Sequence, residues 1–180
     1  LRIPASTRML AISGKLNPEC EHVERDMRIV RLGRLFDCAF VHDAVGHLTS
    51  VEDLGRAMET AFVHCRPGGA VDLRSGRRAR DVGAAHRARR ARRPGRSLRY
   101  LAWTWDPDPE DATYLDDHVY VFREDGKPLR VEHDRLVMGL FAEANWLRLP
   151  AGAGFRARMK RLGVPGAAEH RIFVGTRPEA

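Results

Sequence analysis

Between Val51 and Cys65 the apolar residues Val51, Leu54, Met58, Ala61, Phe62 and Cys65 recur every three or four positions, the spacing of one face of a helix. Ser50 stands just ahead of this run and Asp53 three residues further on, a capping-box variant that marks the helix start. Pro67-Gly68-Gly69 ends the helix and launches a strand over Ala70–Leu73. A different pattern precedes it. Phe36 to Val41 reads FDCAFV, a nearly continuous apolar run of the kind carried by a strand covered on both faces. Further upstream, Met9, Leu10 and Leu16 fall at near-helical spacing between Ser6 and the stop Asn17-Pro18, and a short strand is expected around Glu21–Glu24. Alternation of strand and helix predicts an α/β fold with a parallel sheet and helical crossovers.

The second half changes character. Between Leu98 and Phe141 the runs LRYLAWTW, TYLDDHVYVF and PLRVEHDRLVM are separated by the turn-forming DPDPED and EDGK, which predicts an antiparallel insertion over 98–141. A helix over Glu143–Leu149, shortened or kinked by Pro150, leads through Ala-Gly-Ala-Gly to a terminal hairpin of Phe155–Lys160 and His170–Thr176.

Composition adds bounds. A chain of 180 residues with 43% hydrophobic and 31% charged content suits one globular domain, 1–180, with an ordinary core. No apolar run nears the roughly 20 residues of a membrane span and no signal-peptide pattern stands at the start, so a cytoplasmic protein without membrane contact is expected. The opening LRIPAST shows no cap or strand start and no initiator methionine, as in a sequence that begins inside a domain. Cys20, Cys38 and Cys65 lie in apolar surroundings without CxxC spacing, which predicts buried free thiols and no metal site.

The formal charge of +7 is concentrated in one place. Residues 74–99 hold eleven arginines against Asp81 alone, a local net of +10, which leaves −3 for the rest. This segment carries no amphipathic stripe and no aromatic, so 74–96 is expected to be irregular and without core contacts. Three readings are open for it: a nucleic-acid-binding arm, a solvated loop, or out-of-frame translation of a GC-rich gene, the last being favoured.

The candidate chemistry sits at the exit of the Phe36–Val41 strand. LGRLFDCAFVHDAVGHL, followed by a helix, CRPGG and a strand, and later LRLPAGAGF with the final IFVGTRP, resembles the class I S-adenosylmethionine-dependent methyltransferases over about Met9–Leu73 and Leu98–Pro178. In open α/β sheets of this type ligands bind beyond the carboxyl ends of the strands, at the switch in strand order. The resemblance implies a Rossmann-like sheet and S-adenosylmethionine as cofactor. It implies that Asp26 accepts a hydrogen bond from the adenine amino group while Met27 packs on the ring, and that His42, Asp43 and Val45 line the methionine and methyl side. His47 then falls where acceptor-facing residues are found.

Methyl transfer from a sulfonium needs in-line positioning, with a general base if the acceptor must lose a proton. His47 or Asp43 is the candidate base, with His118 as a third choice. Trp103, Trp105, Tyr114 and His118 are candidates for the wall of a small-molecule acceptor pocket, with Tyr120 beside them. A basic nucleic-acid-binding module on the same scaffold is the alternative function, nucleic acid not being the expected partner. Two features of the family have no counterpart: no GxGxG stands upstream of Asp26, and the ribose-binding acid aligns with Pro4. The resemblance therefore implies a sheet whose first strand is missing and a chain that binds the cofactor weakly or not at all.

Overall fold

The computed structural model describes residues 7–74, 85–162 and 170–179. The elements follow in the order α1 (Thr7–Leu16), β1 (Phe36–His42), a 3-10 turn (Ala44–His47), α2 (Val51–His64), β2 (Cys65–Arg74), β3 (Ala85–Arg93), β4 (Arg96–Trp105), β5 (Thr113–Glu124), β6 (Arg130–Gly139), α3 (Glu143–Gly152), β7 (Arg156–Leu162) and β8 (His170–Thr176). They fall into two compact units. The first comprises Leu1–Gly76 and Glu143–Ala180, the second Arg77–Ala142.

The first unit is an α/β layer. Its sheet runs in the order β1-β2-β8-β7, with β1 parallel to β2 and the other neighbours antiparallel. Helix α2 starts where its cap predicts: the Ser50 hydroxyl accepts from the Asp53 N–H at 3.1 Å. It buries Leu54, Ala57, Met58 and Ala61, which with Val71, Leu73, Phe155 and Phe173 form the core. Trp146 of α3 stacks on Phe173 with ring centroids 5.6 Å apart. Two glycines permit close approaches. A Cβ on Gly175 would lie 2.9 Å from Phe155, and one on Gly69 would lie 2.8 Å from the Arg66 carbonyl and 2.9 Å from that of Asp37, where β1 and β2 begin their irregular pairing. Pro150 lies within α3, in its last turn, so the helix runs past it to Gly152.

Three expectations are corrected in this unit. Glu21–Glu24 forms no strand: strands are stable only in a ladder, and among the described residues this segment has no neighbouring strand to pair with. β1 is not covered on both faces: every second side chain from Cys38 to His42 faces solvent, and the strand is also an edge, with β2 on one side and no described strand on the other. Cys38 and Phe40 are accordingly exposed, and so is Cys20, leaving Cys65 as the buried thiol among the described residues.

The second unit is a four-stranded antiparallel sheet in the order β3-β4-β5-β6. The three strands expected over 98–138 are present, joined by a fourth. Ala85–Arg93 pairs residue for residue with Arg96–Thr104, so this part of the arginine run is regular strand and not irregular chain. An edge strand needs ladder bonds on one side and few buried side chains, which is how so polar a segment is ordered. Positions 75–84 of the run lie outside the described residues, as does Pro4.

Candidate active site

The polar exit of β1 is built by a tight reversal. Asp43 takes a left-handed backbone conformation, φ 55°, and donates its N–H to the Arg74 carbonyl at 3.0 Å, tying the end of β1 to the end of β2. Its own carbonyl accepts from the Gly46 N–H at 2.9 Å, which closes the 3-10 turn. Left-handed backbone costs a non-glycine residue about 1–2 kcal/mol, and the Asp43 side chain makes no capping bond in return. Val45 is fully buried beneath the turn, while His42, Asp43 and His47 are exposed at the carboxyl end of the parallel pair. The His42 ring stacks on Phe40 at 5.8 Å, and its Nδ1 stands 3.6 Å from an Asp43 oxygen. Arg74 lies over the Phe40 ring and bonds Asp72 at 2.9 Å.

Asp26 and Met27 are held by a loop in place of the expected strand. Both Asp26 oxygens are engaged by Arg28, through its guanidinium at 2.6 Å and its backbone N–H at 2.9 Å, and these bonds hold the carboxyl below the usual range. Arg28 also reaches Asp53 of α2 at 2.8 Å, and between two carboxylates its own protonation is held still more firmly than usual. The stitching continues along α2. Thr60 Oγ1 donates to the Arg28 carbonyl at 2.9 Å, and the Leu32 N–H donates to His64 Nε2 at 2.8 Å. That bond leaves the His64 proton on Nδ1, where it is donated to the Thr60 carbonyl at 2.7 Å. Arg28, Thr60 and His64 escape sequence reading, since the bonds that tie the loop to α2 join positions 25 to 32 residues apart.

The second unit divides its candidates between the two faces of one sheet. Tyr114 and His118 alternate onto one face, where Tyr100, Tyr120 and Phe122 form a ring cluster with centroids 5.7 to 6.3 Å apart around His118. Thr104 donates to buried Asp116 at 2.8 Å, and the His118 Nδ1 is buried with no partner among the described residues. Trp103 and Trp105 lie on the opposite face, so the four expected wall residues do not form one surface. There Asp117 accepts from Arg135 at 2.7 and 3.1 Å and from Trp105 at 2.9 Å, with His133 at 3.2 Å. Arg135 chiefly, then Trp105, holds the Asp117 carboxyl far below the usual range.

Solved structures share this fold. DesVI of Streptomyces venezuelae is 27% identical, with a TM-score of 0.82 over 98% of this chain and 72% of that one. The sugar N-methyltransferase KedS8 from Streptoalloteichus sp. ATCC 53650 is 19% identical, with a TM-score of 0.83 over 98% and 70%. CalS10, an amino pentose methyltransferase from Micromonospora echinaspora solved with S-adenosylmethionine bound, is 19% identical, with a TM-score of 0.79 over 96% and 71%. The chain has the class I S-adenosylmethionine-dependent methyltransferase fold. No family model matches it, and no curated protein does either. In open α/β sheets ligands bind beyond the carboxyl ends of the parallel strands, the end at which His42 leaves β1. Among the described residues no helix is long and apolar enough to cross a membrane.

Proposed function

We propose that the protein is an S-adenosylmethionine-dependent methyltransferase acting on a small molecule that bears an amine. The observation that carries this is the parallel β1–β2 pair with His42, Asp43 and His47 exposed at its carboxyl end above buried Val45. The exposed Asp43 carboxylate fits the cationic methionyl end of the cofactor, with Val45 beneath the turn. At the adenine end the fit is partial, because Asp26 already accepts from Arg28, although a carboxylate has about four acceptor sites and keeps capacity for one more donor.

When bound, the cofactor supplies an activated methyl group. The chain's part is to orient the acceptor, exclude water and receive a proton. His47 Nδ1 or Nε2 is the proposed proton acceptor. KedS8 and CalS10 act on sugars, one on nitrogen and the other on an amino pentose, which supports an amine acceptor.

Photolabelling with methyl-tritiated S-adenosylmethionine under ultraviolet light, followed by peptide mapping, tests the reading even where affinity is low. Label on the peptides spanning 26–34 and 36–48, displaced by S-adenosylhomocysteine, is the expected result. Label that falls elsewhere, or that resists displacement, overturns it.

A further inference from the structure

The loop that carries Asp26 is tied to α2 by bonds that do not involve the Arg28 side chain. The Thr60 hydroxyl donates to the Arg28 carbonyl at 2.9 Å and accepts from Arg31 at 3.0 Å, the Leu32 N–H donates to His64 at 2.8 Å, and Val30 is buried. The Arg28 guanidinium adds something these contacts do not. Its Nε lies 3.1 and 3.0 Å from the two Asp26 oxygens and its Nη2 2.6 Å from Oδ2, while Nη1 donates to Asp53 at 2.8 Å. The Arg28 backbone N–H donates to Asp26 Oδ1 at 2.9 Å. A two-pronged guanidinium grip holds a carboxylate in one plane, where a free one turns readily about its last torsion. Three donors on about four acceptor sites leave one direction open, on a side chain that is 35% exposed.

We propose that Arg28 is a positioning residue for the cofactor: it fixes the plane of Asp26 so that the one open acceptor site meets the adenine amino group, and it refers that plane to α2 through Asp53. The proposal rests on the reading of Asp26 as the adenine-end residue and deepens it by giving Arg28 and Asp53 a part in base selection. A base with oxygen in place of the amino group sets acceptor against acceptor. A freely turning carboxylate relieves that mismatch by rotation, whereas one held in a guanidinium fork cannot. Asp53 is a firm reference because it lies in the first turn of α2, whose start is set by the Ser50 cap. The turn that ends at His47 runs into the same cap, so the grip relates the adenine end of the site to its acceptor side. Lysine would keep the charge and lose the fork, since an ammonium is a point charge that does not grip two carboxylates at set angles.

The test is competition for photolabelling of the full 180-residue chain by methyl-tritiated S-adenosylmethionine. The competitors are S-adenosylhomocysteine and its inosine counterpart, in which oxygen replaces the adenine amino group. The parent should prefer the adenine compound roughly 10- to 150-fold, the range set by one hydrogen bond to a charged group. In Arg28→Ala that preference should fall by about ten-fold, through weaker binding of the adenine compound alone. Arg28→Lys should recover only part of it, and Asp53→Asn should lower it by a smaller factor. A guanidinium that merely stapled the loop would, when removed, weaken both competitors together. Four outcomes overturn the proposal: equal weakening of both compounds in Arg28→Ala, an unchanged preference in that variant, full recovery by Arg28→Lys, or the parent's preference in Asp53→Asn. Absence of displaceable label on the parent's 26–34 peptide is a separate result, which removes the adenine-end reading of Asp26 and this proposal with it. Because the preference is a ratio measured on one variant, partial unfolding cancels from it, and circular dichroism shows which variants are folded.

Discussion

Asp43 and Asp117 show how differently two carboxylates are used. Asp43 is exposed on a left-handed backbone that glycine would adopt without strain, so Asp43→Gly separates conformation from chemistry. The variant should melt no lower than the parent, and up to about 4 °C higher if roughly 1 kcal/mol of strain is relieved. Methyl transfer should nevertheless fall at least ten-fold, since the carboxylate is gone. Unchanged turnover would remove Asp43 from the site. Asp117 is buried and charged because three donors converge on it. Its folded pKa lies below the ordinary carboxylate value near 4, so its contribution to stability is present above that value and is lost as pH falls through the folded one. Asp117→Asn should cost about 1–2 kcal/mol at pH 7, the half-exposed Arg135 screening part of the interaction. Thermal melts should show that deficit at pH 7 and a narrowing gap below pH 4. A deficit that stays constant with pH would mean that charge is not what Asp117 contributes.

Elements were legible in the sequence where their signal is local. The Ser50 cap, the α2 stripe and the β7–β8 hairpin stand where spacing and turn residues put them, because each depends on neighbours a few positions away. The misjudged elements depend on distant partners. FDCAFV is apolar enough for a covered strand, but coverage depends on what packs over each face, and the face of β1 that carries Phe40 is open to solvent. Glu21–Glu24, read as a short strand, has no ladder to join among the described residues. Ala85–Arg93 has neither apolar pattern nor β-branched residues, and it is strand only because β4 offers a ladder. The candidate site divides along the same line: His42 to His47 are contiguous and readable, whereas Arg28's hold on Asp26 and Asp53 spans three separate positions. Tight contacts between elements are also invisible to pattern. Gly175 of β8 admits Phe155 at a distance where no side chain fits, so Gly175→Ala should cost about 1–3 kcal/mol by denaturant unfolding. A loss under 0.5 kcal/mol would show that Phe155 shifts without penalty.

On the scale of the whole molecule, the fold could be read because the order of elements survives substitution better than any residue does, which is why structures only 19% identical superpose so well. The edges of the two sheets carry a consequence for colloidal behaviour. Every open strand edge is a template for unwanted pairing with another molecule, and natural sheets blunt such edges with charge. β3 is blunted by its arginines, whose mutual repulsion keeps copies apart. β1 is guarded far less, with Asp37 as its one carboxylate: it presents exposed Phe40 and the exposed thiol of Cys38 on a strand whose free edge no described strand covers. Aggregation of the concentrated chain should therefore start at β1, and salt should hasten it by screening the charge that opposes it elsewhere. Phe40→Lys should delay the onset of light scattering several-fold without lowering Tm, whereas an equal delay from a lysine placed on β6 at Val131 would locate the sticky edge in the other sheet.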